Sequence, residues 1–268
     1  MQITKERIAM NKFTQYTHDF NSYQILTEPH SAQNKAIWSL AVNLVFENSA
    51  DFNGYAAAVA HEHILNNIDI DKAQRAIESH YTSERNMNVN KESSALNIIC
   101  MRAVHILSYK AFTLSPALFA NIQNILFENI EYNGSNSIED SFHKSNHQYV
   151  FIGTYKIDKR LCSLIDSEKT FVFDKCSPNQ CLEHLALFAC DLLSIKTHDF
   201  AHRLASLIFV IQYARTFGFN LQHHVSDTNN SLNTIMHKPN ALSDKSAEQN
   251  LLPMYRFLSA LFLIKARF

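Results

Sequence analysis

Apolar residues recur at helical spacing over most of the chain. In the segment NKAIWSLAVNLVF, the residues Ile37, Leu40 and Leu44 fall on one face of a helix. Side chains three and four positions apart lie next to each other on a helix, so this spacing predicts helices that bury one side. The same pattern appears in GYAAAVAHEHILNNI, IDIDKAQRAIESHYTSERN, ESSALNIICMRAVHILSY and the C-terminal EQNLLPMYRFLSALFLIKARF.

Two further helices have marked starts. Ser115 and Pro116 precede the apolar stripe of LSPALFANIQNILFENI, and Ser177 and Pro178 precede CLEHLALFACDLLS. Serine caps the free N–H groups of a first helical turn, and proline fits the first helical position because its missing N–H has no partner there. Both segments are therefore predicted to be helices that begin at the proline.

Strand-like sequence is confined to two short stretches. HQYVFIG (147–153) and KTFVFD (169–174) are rich in β-branched and aromatic residues. We expect one short β element at about 146–153, between two helices, in a chain that is otherwise all-α. A strand pair of this size is marginally stable unless it packs on a helix or receives a partner strand.

Glycine is scarce, and the spacing of the glycines excludes several known types of phosphate-binding and catalytic loop. The chain has 4 glycines in 268 residues, and no two lie close together. Phosphate-binding loops of the Walker A and Rossmann types need clustered glycines, so neither is present. A serine hydrolase elbow, which places the nucleophile between glycines, is excluded as well.

Charge and cysteine content indicate which partners and which cellular compartment to expect. The formal net charge is −1, which gives no electrostatic reason to expect nucleic-acid or membrane binding. The apolar runs are too short to span a bilayer, and the N-terminus lacks the pattern of a secretory signal. The five cysteines form no paired framework, so we expect a cytoplasmic protein.

The order of elements resembles that of the Fic family, whose motif has the form H-x-F-x-(D/E)-G-N-G-R-x-x-R. HDF (198–200) is similar to the opening of the motif, and ARTFGFNL (214–221) to the exit of the helix that follows it. HKSNHQYVFIGTYKIDKRLCSLI is similar to the family's β-hairpin, called the flap, and its descent into the next helix. The resemblance implies a Fic-like helical bundle over 70–235, an N-terminal helical lobe over 1–69 and a C-terminal helical extension over 236–268.

The resemblance also implies an activity. Fic proteins, many of them bacterial, transfer a phosphoryl-containing group, usually AMP from ATP with Mg²⁺, to a hydroxyl of a target protein. By that resemblance His198 is the catalytic base, and Arg203, His202 and Asp199 are the nucleotide-binding residues. The target protein would lie along the flap, which comprises Asn146, His147, Gln148, Tyr149, Val150, Phe151 and Ile152.

This chain departs from the family motif at the phosphate site. The Gly-Asn-Gly segment is missing after HDFAH, and Ser206 stands in place of the second arginine. Single preorganised donors contribute about 3–4 kcal/mol to transition-state stabilisation, so transfer is expected to be weak or absent. In the segment SHYTSERN, Glu84 matches the family's inhibitory glutamate, but His80 occupies the Ser/Thr position.

Several other interpretations of these residues stay open. The stretch 197–203 could be only a polar turn, with Thr197 or Asp199 capping an apolar helix. His198 and His202 could instead bind a metal, although no third ligand is apparent. The spacing of Cys176 and Cys181 is only a weak indication of a zinc-binding site. The residues also leave open whether the protein is an enzyme or a catalytically inactive Fic-fold binding or regulatory module, and whether it forms a homo-oligomer.

Overall fold

A computed structural model describes residues 29–52, 54–82, 91–109, 111–130, 149–152, 155–196, 199–222, 232, 235 and 247–263. Most of these residues are helical, which confirms the all-α prediction. The chain divides into two compact units, Met1–Ser108 and Tyr109–Phe268. None of the helices in the described ranges is long and apolar enough to cross a membrane.

The N-terminal unit is built from helices. They are α1 (Pro29–Val45), α2 (Gly54–Ile64), α3 (Ile70–Thr82) and α4 (Lys91–Ser108), with a 3-10 turn at Ser49–Asp51. Helix α4 packs against α1 and α3, and α2 also contacts both. The family resemblance implies a domain boundary at 69/70. Helix α4 packs on helices from both sides of that point, and the chain divides into its two compact units after α4.

The buried faces of this unit match the predicted stripes. Ile37, Leu40 and Leu44 of α1 are buried, as are Ala73 and Ile77 of α3. Each of these sets repeats at intervals of three or four residues, and each faces a neighbouring helix. In α3 the buried residues are limited to this stripe, whereas α1 also buries Ala36, Trp38, Ala41 and Val42, so most of its circumference is covered.

The C-terminal unit carries the hairpin. Its elements are α5 (Pro116–Phe127), β1 (Tyr149–Ile152), β2 (Tyr155–Asp158), α6 (Lys159–Glu168), a 3-10 turn (Phe173–Lys175), α7 (Pro178–Ile195), α8 (Phe200–Thr216), β3 (Asn220–Leu221), α9 (Ala247–Leu261) and β4 (Phe262–Leu263). Helix α8 packs against α5 and α7, and α9 packs against α7. Strands β3 and β4 pair antiparallel and join the end of α8 to the end of α9.

Helix α8 is the centre of the C-terminal unit. All fifteen residues from Phe200 to Ala214 are buried. A helix that is apolar on every side must be surrounded by protein, which explains the long apolar run in its sequence. The helix ends at Thr216 with Phe217 as its C-cap, and Gly218 follows with φ of 85°, a left-handed conformation that favours glycine.

The two predicted Ser-Pro helix starts are confirmed. The Ser115 hydroxyl accepts a hydrogen bond from the backbone N–H of Leu118 at 3.1 Å. Ser177 accepts one from the N–H of Gln180 at 3.3 Å, while the Gln180 side chain accepts from the N–H of Ser177 at 2.8 Å. This reciprocal pair is a capping box, and it holds the first turn of α7.

One of the two predicted strand stretches is correct. Strand β1 lies within HQYVFIG and pairs antiparallel with β2, with Val150 opposite Ile157. Strand β2 contacts α5 and α6, which supplies the packing that an isolated hairpin needs. The strand predicted at 169–174 is wrong. Phe173 begins a 3-10 turn there, and its ring stacks on Phe217 with centroids 3.8 Å apart.

Candidate functional site

Asp199 caps the N-terminus of α8. Its carboxylate Oδ1 accepts a hydrogen bond from the backbone N–H of His202 at 3.2 Å, and its backbone is extended. The Asp199 carbonyl accepts from the N–H of Arg203 at 3.0 Å, the first hydrogen bond of the helix. Of the two candidate capping residues, Thr197 and Asp199, the structure shows Asp199 in this role, and Thr197 lies outside the described residues.

His202 lies in the protein interior, one turn into α8. It is 3% exposed, and its Nε2 donates to the backbone carbonyl oxygen of Leu192 at 2.9 Å. Its ring lies against Phe119, with the centroids 5.2 Å apart. Burial lowers the pKa of His202 to about 4, although the hydrogen bond to Leu192 opposes the shift. His202 is therefore a neutral core histidine at neutral pH.

Arg203 follows on the same turn and is also enclosed. It is 5% exposed. Ser206, which stands where the family motif has its second arginine, donates its hydroxyl hydrogen to the carbonyl oxygen of His202 at 2.8 Å. The three polar side chains of this turn, those of His202, Arg203 and Ser206, are thus held within the core of the unit.

The structure brings together only part of the predicted site. Asp199, His202 and Arg203 share the first turn of α8, and Tyr149–Ile152 form β1. The remaining predicted residues lie outside the described ranges: Glu84, Asn146, His147, Gln148 and His198.

The sequence analysis missed an ionic tie between the hairpin and α7. Asp158 ends β2, caps α6 through the N–H of Arg160 at 2.9 Å, and is buried. The Arg160 Nη2 donates both to Asp158 Oδ2 at 3.0 Å and to the carbonyl oxygen of Ile195 at 2.9 Å. An aspartate directly before the amphipathic segment KRLCSLIDSE is an N-cap signal that could have identified Asp158.

This tie lies close to the first turn of α8. The charges of Asp199 and Asp158 raise the pKa of His202 and the charge of Lys196 lowers it, while burial remains the largest effect. Lys196 is the C-cap residue that follows α7. Asp158 at the base of the hairpin, Lys196 after α7 and Asp199 at the start of α8 therefore lie near enough to His202 for their charges to act on its pKa.

No metal centre is found among the described residues. They contain no group of three or more His, Cys, Asp or Glu side chains placed to bind one ion. The HEH stretch in α2 illustrates why, because His63 is buried and its Nδ1 accepts a hydrogen bond from Trp38 Nε1 at 2.9 Å. A histidine used in this way supports the core of the N-terminal unit.

Comparisons with known proteins give no family assignment. No protein-family model, curated protein or solved structure matches this chain. The function must therefore be argued from the residues themselves.

Proposed function

We propose that this protein is a Fic-like module in which transfer of AMP, or of another phosphoryl-containing group, to a protein hydroxyl is weak or absent. In this proposal the retained role is to bind a target protein along the β1–β2 hairpin. The observation that carries the proposal is the hydrogen bond from the His202 N–H to the Asp199 carboxylate. An aspartate already occupies the helix terminus at which a nucleotide phosphate would bind.

The electrostatics of the α8 terminus argue against strong phosphate binding. The N-terminus of a helix attracts anions through its free N–H groups and its positive dipole end. Here the Asp199 carboxylate uses one of those N–H groups and places a negative charge beside the others. A phosphate would have to displace this carboxylate or approach it against charge repulsion.

The side chains that the family resemblance places at the phosphates add little positive charge to offset the Asp199 carboxylate. His202 is neutral because burial lowers its pKa to about 4, so it adds no positive charge at neutral pH. Arg203 is enclosed by protein. No glycine lies between Gly153 and Gly218 to rebuild a loop of backbone donors. If transfer does occur, it would use ATP with Mg²⁺ and His198 as the base.

The order of elements supports the Fic-like part of the proposal. Helix α5 precedes the hairpin, α6 and α7 follow it, and the buried helix α8 is the next helix after α7. This is the order that the family resemblance predicts. The five free cysteines agree with the reducing cytoplasm that we propose as the location.

The hairpin supports the binding role. Among the described residues, β1 pairs with β2 on one side only, in a sheet of two strands. An edge strand presents backbone N–H and C=O groups that an extended peptide can pair with. The Asp158–Arg160–Ile195 tie anchors the base of this hairpin to α7, so a peptide on β1 would bind to a fixed template.

Labelled ATP tests the weak-transfer part directly. The purified protein is incubated with labelled ATP, Mg²⁺ and a cell extract that supplies candidate targets, in parallel with His198→Ala. We expect labelling no stronger than with the variant. Robust labelling that is lost in His198→Ala would contradict the proposal.

Proline substitution tests the binding part. Peptides selected against the wild-type protein by display are measured against Val150→Pro and Phe151→Pro. Successive residues of a strand direct their N–H groups to opposite sides, so one variant loses an outward N–H and the other an N–H that pairs with β2. We expect the outward variant to fold and to lose peptide binding. Peptide affinity that is unchanged in both folded variants would exclude β1 as the binding edge.

A further inference from the structure

Cys176 and Cys181 flank the start of α7 in a specific arrangement. Ser177 is the N-cap, so Cys176 is the residue before the cap and Cys181 is the fourth helical residue. Side chains at these two positions pack against each other across the first turn, in the arrangement known as a hydrophobic staple. Here both positions carry a thiol.

The contacts of the two thiols agree with this packing. The Cys181 Sγ lies 3.9 Å from the carbonyl oxygen of Cys176 and 3.9 Å from that of Phe173. The Cys176 Sγ lies 3.8 Å from the carbonyl oxygen of Val172. Burial raises the pKa of Cys181, and the neighbouring Cys176 side chain raises it further. Both sulfur atoms therefore lie where the 3-10 turn meets the first turn of α7.

We propose that Cys176 and Cys181 form a reversible disulfide, and that this pair is an oxidation site of the protein. The capping box holds the backbone between them through Ser177 and Gln180, so the two side chains are already placed on the same side of the turn. Cys176 is half-buried and Cys181 is 7% exposed. Cys176 is therefore the thiol that an oxidant reaches first, and Cys181 is the resolving thiol.

A peroxide is the oxidant class that fits this order of exposure. The Cys176 thiolate attacks one peroxide oxygen, the O–O bond breaks, and the other oxygen takes a proton and leaves as an alcohol or as water. Cys176 is then a sulfenic acid. The Cys181 thiolate attacks its sulfur, the S–O bond breaks, and hydroxide takes a proton and leaves as water. Two thiols lose two electrons to the peroxide, and the resulting disulfide joins the 3-10 turn to the first turn of α7.

The other cysteines provide the internal controls. Cys100 is completely buried, and burial raises its pKa. Cys162 of α6 is partly exposed, and besides burial its pKa responds to the charges of Asp166, Asp158 and Lys169 and to a backbone hydrogen bond, and not to another thiol. Cys162 is therefore a partly exposed thiol without a thiol neighbour, and it should be oxidised without forming an internal disulfide.

The test is oxidation of the full-length folded protein with hydrogen peroxide, followed by intact mass and peptide mapping. We expect the mass to fall by two hydrogen atoms, one peptide pair linked through Cys176 and Cys181, and complete reversal by a dithiol reductant. Cys162→Ser should behave like the wild type. Cys181→Ser should accumulate sulfenic acid at Cys176, which a dione probe traps. Cys176→Ser should leave Cys181 reduced over the same time.

Several results would overturn the inference. One is over-oxidation of Cys176 in the wild type without a disulfide. Another is a Cys181 thiol that reacts as fast in Cys176→Ser as in the wild type. Because serine is close to cysteine in size, circular dichroism is expected to show each variant folded. If a variant does not fold, the peptide map of the wild type alone still decides between a disulfide and separate oxidation.

Discussion

The Asp199 carboxylate accepts a hydrogen bond from the backbone N–H of His202, at 3.2 Å. This contact fixes the start of α8, a helix whose residues from Phe200 to Ala214 are all buried. It also occupies a position at which a helix terminus would otherwise bind an anion. The same contact thus supports both the fold of the C-terminal unit and the proposal of weak nucleotide chemistry.

Removing the Asp199 side chain should destabilise the protein. In Asp199→Ala the His202 N–H loses its acceptor, and we expect the free energy of unfolding to fall by about 1 kcal/mol, as for other N-cap residues. Urea unfolding followed by circular dichroism measures the change. Asp199→Asn is the matched control, because its amide oxygen still caps the helix and should retain most of the stability. Equal losses in the two variants would contradict the capping role.

His202 should make stability depend on pH. Its pKa is about 4 in the folded protein, lowered by burial, against an ordinary value of 6.5. The unfolded chain therefore binds a proton at a higher pH than the folded protein does. The stabilisation from neutral His202 is fully present above about pH 6.5 and is lost as the pH falls from there towards 4, by up to about 3 kcal/mol.

The variant His202→Gln isolates this effect. Glutamine can donate to the Leu192 carbonyl oxygen but does not titrate, so unfolding in urea should show a smaller loss of stability between pH 7 and pH 5 than in the wild type. The quantity compared is the slope of the free energy of unfolding against pH in the wild type and in the variant. Only the difference between the two slopes reports on His202, because carboxylates and other histidines titrate in both proteins. Identical slopes would show that His202 is not a buried neutral histidine.

Trp38 and His63 should stabilise the N-terminal unit. Trp38 Nε1 donates to His63 Nδ1 at 2.9 Å, and both side chains are buried. In His63→Leu the indole N–H loses its acceptor, which should cost about 1–3 kcal/mol. His63→Gln retains an acceptor and is the control. Trp38 is the single tryptophan of the chain, so its fluorescence reports the unfolding of this unit. A His63→Leu variant as stable as the control would contradict this assignment.

The helices could be predicted from the sequence because their signals are local. The Ser115-Pro116 and Ser177-Pro178 starts depend on capping groups within one turn, and the structure confirms both. The buried stripe of α3, Ala73 and Ile77, follows from spacing alone. The wrong strand at 169–174 has a different origin, because Phe173 is held by contacts with His184, Tyr213 and Phe217, residues distant in sequence. Tertiary packing overrode the local β propensity there.

The site was harder to predict for the same reason. The family resemblance places His202 and Arg203 beside a nucleotide phosphate, but a motif match does not reveal that α8 is surrounded by protein. The hydrogen bond from His202 Nε2 to the carbonyl oxygen of Leu192, ten positions earlier in the chain, could not be predicted from the sequence. The tie from Arg160 to Ile195 spans thirty-five positions and carries no local signal.

Arg160 should hold the hairpin base against α7. In Arg160→Ala the hydrogen bonds to Asp158 Oδ2 and to the Ile195 carbonyl oxygen are both lost. We expect faster amide hydrogen exchange in the peptide that contains β2, with little change in α1 of the other unit. Arg160→Lys, which can reach one acceptor at a time, should give an intermediate rate. Exchange in β2 that is unaffected by Arg160→Ala would show that the tie does not order the hairpin.

The central claim is that the start of α8 is closed to a nucleotide phosphate, and calorimetric titration with ATP and Mg²⁺ tests it most directly. The folded wild-type protein is titrated beside His198→Ala and Asp199→Asn. The account predicts no saturable heat with the wild type up to millimolar ATP. Saturable micromolar binding by the wild type that is weakened in His198→Ala would contradict it, because the loop and the first turn of α8 would then form a working nucleotide site.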